Sequence, residues 1–293
     1  MSTELPRLKP DPVPPIRPVP EYLADEALRA VYEDTKTRLQ VPWMGVVTMA
    51  FAAYPQFYAA LWGGMRELAG SAEFVAASRA VRDAAEREAA SLGPAELAGD
   101  LSRLGYAPRE LDEIRALIEV FSHGNMPYLL IATAGRLLLE GETLSEGRAA
   151  TPFAGRHGPS TGSRLTLIEA HHADAPTQAV YAGIRDTLGL PFVNTDYRAL
   201  ARWPSYFARA WADLAPKVPT RAYEAAVARV HAVAVAQMRA LPNPGALTPD
   251  VLRAAAGRDA SVDEVLAVVR LFQWLLPGLT VNVAYFREQL GAP

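Results

Sequence analysis

A stretch of the chain that begins at Ala30 recurs 149 residues later, from Ala179. AVYEDTKTRLQVPWMGVVTMAFAAYPQFYAALW lies against AVYAGIRDTLGLPFVNTDYRALARWPSYFARAW. Tyr32 thus meets Tyr181, Pro42 meets Pro191, Pro55 meets Pro204 and Trp62 meets Trp211. Aromatic residues also face aromatic residues: Trp43 and Phe192, Tyr54 and Trp203, Phe57 and Tyr206. A second block, ELDEIRALIEVF from Glu110, recurs at an offset of 151 as SVDEVLAVVRLF from Ser261. Two blocks in the same order and at nearly the same spacing point to a tandem duplication. Whatever one unit folds into, the chain must form twice, and the two copies must pack on each other.

The unit is helical. Pro108 opens a helix whose apolar residues Leu111, Ile114, Leu117, Ile118 and Phe121 recur at three and four. Ser261 with Glu264 forms a capping-box pattern before Val265, and Thr248-Pro249 is another helix start. Residues 74–91 and 222–240 are rich in Ala, Arg and Glu, all strong helix formers. No segment alternates at a period of two with turn punctuation, so the expectation is an all-α fold with almost no sheet. The organisation expected is a Pro-rich arm over 1–20, a first unit over 21–140, a linker over 141–165 and a second unit over 166–293. The linker, GETLSEGRAATPFAGRHGPSTGSR at its core, has no apolar periodicity. The arm carries seven prolines in twenty residues, which rules out helix there. It lies over the surface or a partner subunit, or is a disordered tail.

Composition excludes several classes. A net charge of −3 gives no electrostatic case for nucleic acid or an anionic membrane as partner. The absence of cysteine removes disulfides, thiolate metal sites and thiol nucleophiles, and fits a cytoplasmic protein. The most membrane-like stretch, 271–286, is interrupted by Pro277-Gly278 and carries Gln273 and Asn282, so it is expected to be core.

In a duplicated chain the copies should share core positions, so a polar residue opposite an apolar one needs a reason. Asp196 stands opposite Val47, and Asn125 opposite Leu276. Each lies beside aromatic residues that recur in both halves. A site between the copies, lined by Trp43, Tyr128 and Phe192 with Asp196 and Asn125 projecting inward, would explain both departures. The alternative is that Asp196 merely caps a helix starting near Tyr197.

The motifs VPWMGVVTMAFAAYPQFYAALW, FSHGNMPYLLIATAG and VNTDYRALARWPSYF resemble those of the group I 2-haloacid dehalogenases, which include DL- and D-specific enzymes. The likeness runs in order from about Glu26 to about Phe286. It implies an all-α protein of two similar halves, with the active site between them and a homodimer as the assembly. It implies no metal or organic cofactor. In that family an aspartate activates a water that displaces halide from Cα of a small 2-haloacid, with inversion and without an ester to the enzyme. Asp196 matches that aspartate and Asn125 the asparagine that helps hold the water. Trp43, Tyr128 and Thr195 match residues lining the pocket. Val46 and Trp274 depart from the aromatic residues some members carry there. Asn194 matches the asparagine of D-specific members rather than the small alanine of those that accept both enantiomers, which implies D-specificity.

The chemistry has its own requirements. Water is a poor nucleophile, so a base must take its proton as the C–O bond forms. An aromatic, partly dry pocket raises a carboxyl pKa and makes it a better base. Asn125 can both donate and accept. Thr195 and backbone N–H groups of the following helix would hold the substrate carboxylate, and Trp43 could receive the departing halide.

Other patterns carry less. Gly158-Pro-Ser160-Thr-Gly162 satisfies GxSxG, but it sits in the polar linker without a strand before it. His171-His172 near Glu169 and Asp174 only faintly suggests a metal cluster. The covalent L-2-haloacid dehalogenases need an aspartate at the end of an N-terminal strand, where this chain has its proline arm. Two rival readings stand: a helical enzyme similar to the carboxymuconolactone decarboxylase-like proteins, and a non-catalytic binding protein for small organic acids.

Overall fold

The computed structural model describes residues 5–159 and 165–291. Among these residues there are twelve α-helices and a short 3-10 turn, Glu21–Leu23. One isolated bridge, Ser71 to Pro152, is the sole β pairing among them. The fold is all-α, as the periodicity predicts.

The helices of the two halves run in the same order. α1 (Glu26–Leu39) and α7 (Ala175–Leu188) each have 14 residues, and α2 (Val46–Phe51) and α8 (Thr195–Leu200) each have six. α3 (Pro55–Ala69) answers to α9 (Pro204–Leu214), and α4 (Ala72–Ser91) to α10 (Arg221–Ala240). α5 (Ala98–Arg103) and α11 (Pro249–Asp259) precede the two longest helices, α6 (Pro108–Leu139) and α12 (Val262–Gln289). The starts follow from local chemistry. Asp25, Ser71, Asp174, Thr220, Thr248 and Ser261 each accept a backbone N–H of the first turn. Pro55, Pro108, Pro204 and Pro249 occupy first positions, where the missing N–H costs nothing.

α6 and α12 form the central pair and pack on each other more extensively than any other two helices. From Val120 to Leu139 every residue of α6 except His123 is buried. A helix apolar all round belongs in the centre of a large core. α12 is long and apolar enough to cross a membrane by length and composition, but most of that stretch is buried inside this fold. Contrary to the expectation from sequence, Pro277-Gly278 does not interrupt it. The proline disturbs the backbone pairing of the preceding turn, and side chains serve the carbonyls around it: Arg7 Nε donates to Trp274 O at 3.0 Å and Thr280 Oγ1 to Pro277 O at 2.8 Å.

The arm is neither helix nor free tail. His231 Nε2 lies 2.7 Å from Leu5 O, Arg7 pairs with Glu224, and Lys9 Nζ donates to Gly189 O, so residues 5–9 lie across the second half of their own chain. The linker crosses the first half in return. Ala72 N donates to Thr151 O, Phe153 N to Gly70 O, and the backbones of His157 and Gly158 both donate to Gln40 Oε1. The two crossings end alike. Val19 N donates to Met49 O and Ile168 N to Arg198 O, the second bond displaced from the first by the 149-residue offset at both ends. Tyr32 OH donates to Val19 O at 2.8 Å and Tyr181 OH to Ile168 O at 2.7 Å. In the GxSxG pattern, Ser160 and Gly162 lie outside the described residues.

Candidate active site

α8 is entered by an extended backbone at Asn194, which is its N-cap residue and makes no side-chain capping bond. Asp196 therefore lies inside the first turn and is not the cap that the alternative reading made it. Its side chain is buried against α6, where Asn125 Nδ2 donates to Asp196 Oδ1 at 2.7 Å. Burial pushes the Asp196 carboxyl up to about 6, against the opposing pull of Asn125, its own backbone N–H and the Arg198 charge.

On the other side of Asn125, the Trp43 indole lies against α6 so closely that a Cβ at Gly124 would collide with it. Trp43 also meets Phe121 edge-on at 5.0 Å and Tyr128 at 6.0 Å. Tyr128 is anchored by a 2.7 Å bond from its hydroxyl to Trp43 O, and a Cβ at Gly45 would stand 2.9 Å from its ring. Glycine at these two positions leaves room for the two aromatic rings beside the turn of α6 that carries Asn125. Burial drives the Tyr128 phenol well above its ordinary range, so it stays a neutral donor.

Asn194 and Trp274 line a cavity of about 190 Å³, together with Tyr197, Tyr223, Asn282 and Arg7. Asn282 Nδ2 donates to Tyr197 OH at 2.8 Å, and Tyr223 OH donates to Asn282 Oδ1 at 2.8 Å. Arg7 and Lys9 lie over the Trp274 ring, at 5.1 and 5.2 Å from its centre. Asn194 and Tyr197 thus face this cavity while Asp196 faces Asn125. Thr195 is buried, and its Oγ1 accepts from Arg198 Nη2 at 3.3 Å. Arg198 is held in turn by both oxygens of Glu169, at 2.6 and 2.8 Å. Phe192 is half-buried in the loop before α8 and makes no ring contact with Trp43 or Tyr128.

A family model for halocarboxylic acid dehydrogenase DehI matches residues 42–190. An (R)-2-haloacid dehalogenase from Rhizobium sp. (strain NHG3) is 47% identical over 87% of this chain and 99% of its own length. The chain belongs to the DehI family. A second relative, an (R)-2-haloacid dehalogenase from Pseudomonas putida, is 40% identical over 94% of this chain and 92% of its own. Among solved structures, a D-2-haloacid dehalogenase mutant in complex with D-2-CPA superposes with a TM-score of 0.86 at 36% identity. The match covers 94% of this chain and 96% of that one. Membership of this family sets aside the decarboxylase-like and binding-protein readings.

Around this candidate site, sequence reasoning missed Tyr197, Tyr223, Asn282 and Arg7, which line the cavity, and Arg198, which holds Thr195. Asn282 had a signal: at an offset of 151 it stands opposite Ile131, the same kind of departure that singled out Asn125. The faint metal pattern is spent on structure, since Glu169 holds Arg198 and Asp174 caps α7.

Proposed function

We propose that this protein hydrolyses short D-2-haloalkanoic acids to 2-hydroxyalkanoic acids and halide, with Asp196 as the base that activates water. The observation that carries the reading is the buried Asp196–Asn125 pair, with a carboxyl pKa near 6. A base of that strength is roughly a hundredfold better proton acceptor than an ordinary carboxylate near 4, yet is mostly ionised at neutral pH.

In this mechanism Asn125 fixes one Asp196 oxygen and leaves the other to accept from the water. The Asn125 carbonyl takes the water's second hydrogen and aims its lone pair. The water oxygen attacks Cα opposite the carbon–halogen bond, its proton passes to Asp196, and the halide leaves with both bonding electrons. The configuration at Cα inverts and no ester forms. Thr195 Oγ1 accepts from Arg198 and so turns its own proton towards the substrate carboxylate. The rings of Trp43 and Tyr128 keep bulk water from the pair. Selectivity for the D-enantiomer is assigned to Asn194, which matches the asparagine of D-specific members of the family and lines the 190 Å³ cavity. The chain is read as a duplicated unit that includes its lead-in segment, on the matched bonds of Val19 and Ile168.

The test is chloride release from each enantiomer of 2-chloropropionate by the wild type and by Asp196→Asn. The expected result is release from the D-enantiomer alone and none from the variant. A variant that keeps most of the wild-type rate would remove Asp196 from the role.

A further inference from the structure

A second, smaller cavity of about 70 Å³ lies on another face of α6, walled by α4, α6 and the linker. Its lining includes Ser78, Arg79, Arg82, Ser122, His123 and His157. The Ser78 and Ser122 hydroxyls are both buried without a hydrogen-bond partner, and Ser122 is only 1% exposed as a residue. Buried hydroxyls are costly to leave unpaired, and a hydroxyl within a helix usually has a backbone carbonyl within reach. Two of them lining one cavity, whose other walls include Leu39, Phe74, Val75 and Met126, call for an occupant that accepts hydrogen bonds.

The charge around them says which kind. Arg82 is neutralised by Glu86 at 2.6 Å and Glu119 at 2.7 Å. Arg79 makes no ion pair among the described residues. The two imidazoles stand 5.3 Å apart, and burial disfavours the charged form of both. Burial lowers the His157 pKa to about 4, helped by His123 and Arg79; it also lowers that of His123, with Arg82 and Arg79 adding to the effect. With His123 Nε2 donating to Leu39 O at 2.9 Å, the positive charge at the cavity without an ion pair is that of Arg79, an exposed residue of its lining. Ser78 and Arg79 stand, at the 149-residue offset, opposite Val227 and Ala228. The other half of the fold therefore does without both.

We propose that this cavity is a site for a small monovalent anion, held by the Ser78 and Ser122 hydroxyls and the Arg79 guanidinium, and that its occupant is a halide ion. The volume suits a halide with a few waters and is too small for a branched or aromatic acid. Its anion character stands on these residues alone, whereas the choice of halide rests on the function proposed above. The site lies behind the turn of α6 that presents Asn125, flanked by Ser122, His123, Met126 and Pro127. Halide released by the reaction would thus accumulate within a turn of the residue that aims the water.

The test uses bromide with the full chain, by anomalous scattering from crystals at graded concentrations and by NMR titration of the His123 and His157 imidazoles in solution. Saturable bromide between Ser78, Ser122 and Arg79 is expected, with both imidazole pKa values rising as it binds. Arg79→Gln and Ser122→Ala should each weaken binding by about tenfold or more. Asp196→Asn should bind bromide here as the wild type does, which separates this site from the catalytic one. Water at every bromide concentration would overturn the proposal. So would an adventitious ion only, seen at crystal concentrations without any change in the imidazoles, or variants that bind as the wild type.

Discussion

Replacing Asp196 by asparagine should stabilise the protein while abolishing turnover, and the gain should depend on pH in a defined way. Folding raises the Asp196 carboxyl from its ordinary 3.8 to about 6. The folded state therefore binds this proton more tightly than the unfolded chain, and the fold is favoured most below the unfolded value. That contribution is lost as pH rises through 6. Each tenfold change in proton affinity is worth ~1.4 kcal/mol, so ionising Asp196 in the fold costs about 3 kcal/mol at pH 7. Asparagine keeps the side-chain shape, can accept from Asn125 through its own carbonyl, and carries no charge to desolvate. Urea denaturation of wild type and Asp196→Asn at pH 4, 5, 6 and 7 should show the variant ahead by about 3 kcal/mol at pH 7 and by well under 1 kcal/mol at pH 4. For a chain of this size the gain at pH 7 corresponds to a rise in Tm of roughly 5 °C. A variant no more stable at pH 7, or more stable by the same amount at every pH, would refute the dominance of burial at Asp196.

Other outcomes follow from the same geometry. The rate on a D-2-haloacid at low substrate should rise tenfold per pH step below about 6 and then level off, as one ionised base requires; a profile flat from pH 4 to 8 would exclude Asp196 as that base. Asn125→Ala removes a bond to the ionised carboxylate, so the inflection should move to higher pH and kcat should fall by roughly a hundredfold; pH–rate profiles read both effects. Asn194→Ala should admit the L-enantiomer and bring the D-to-L rate ratio down, measured by halide release from each. Gln273→Leu breaks a buried relay in which Gln273 accepts from Arg136 at 2.6 Å and lies 3.0 Å from His231 Nδ1. It should cost about 2–4 kcal/mol in urea unfolding, because Arg136 keeps its charge and loses a partner.

The helical class, the starts of α6, α11 and α12 and the two buried polar residues were legible in the sequence because each leaves a local mark. Capping residues, prolines at first positions and apolar spacing write the helices. Asp196 and Asn125 stood out only because the chain supplies its own comparison, with Val47 and Leu276 at the matching positions. What stayed hidden depends on contacts between distant segments. Nothing local in Arg7 says that it will lie over Trp274, 267 residues away, or that the arm and the linker cross opposite halves of the fold. The continuity of α12 through Pro277 was hidden for the same reason, since the groups that serve its carbonyls include a side chain from the arm. That Asn194 and Asp196 point to different sides of α8 also required the helix start to be fixed to the residue, which sequence signals rarely do.

The most direct test of the central claim is a single turnover with enzyme in excess over D-2-chloropropionate in water enriched in oxygen-18. Direct attack by an activated water puts the heavy isotope into the hydroxyl of the product formed in that first turnover and leaves the peptide containing Asp196 unlabelled. Ordinary oxygen in the first product, with the label found in Asp196 after hydrolysis, would mean that the carboxylate itself attacks carbon, and would contradict the role of Asp196 as a base acting on water.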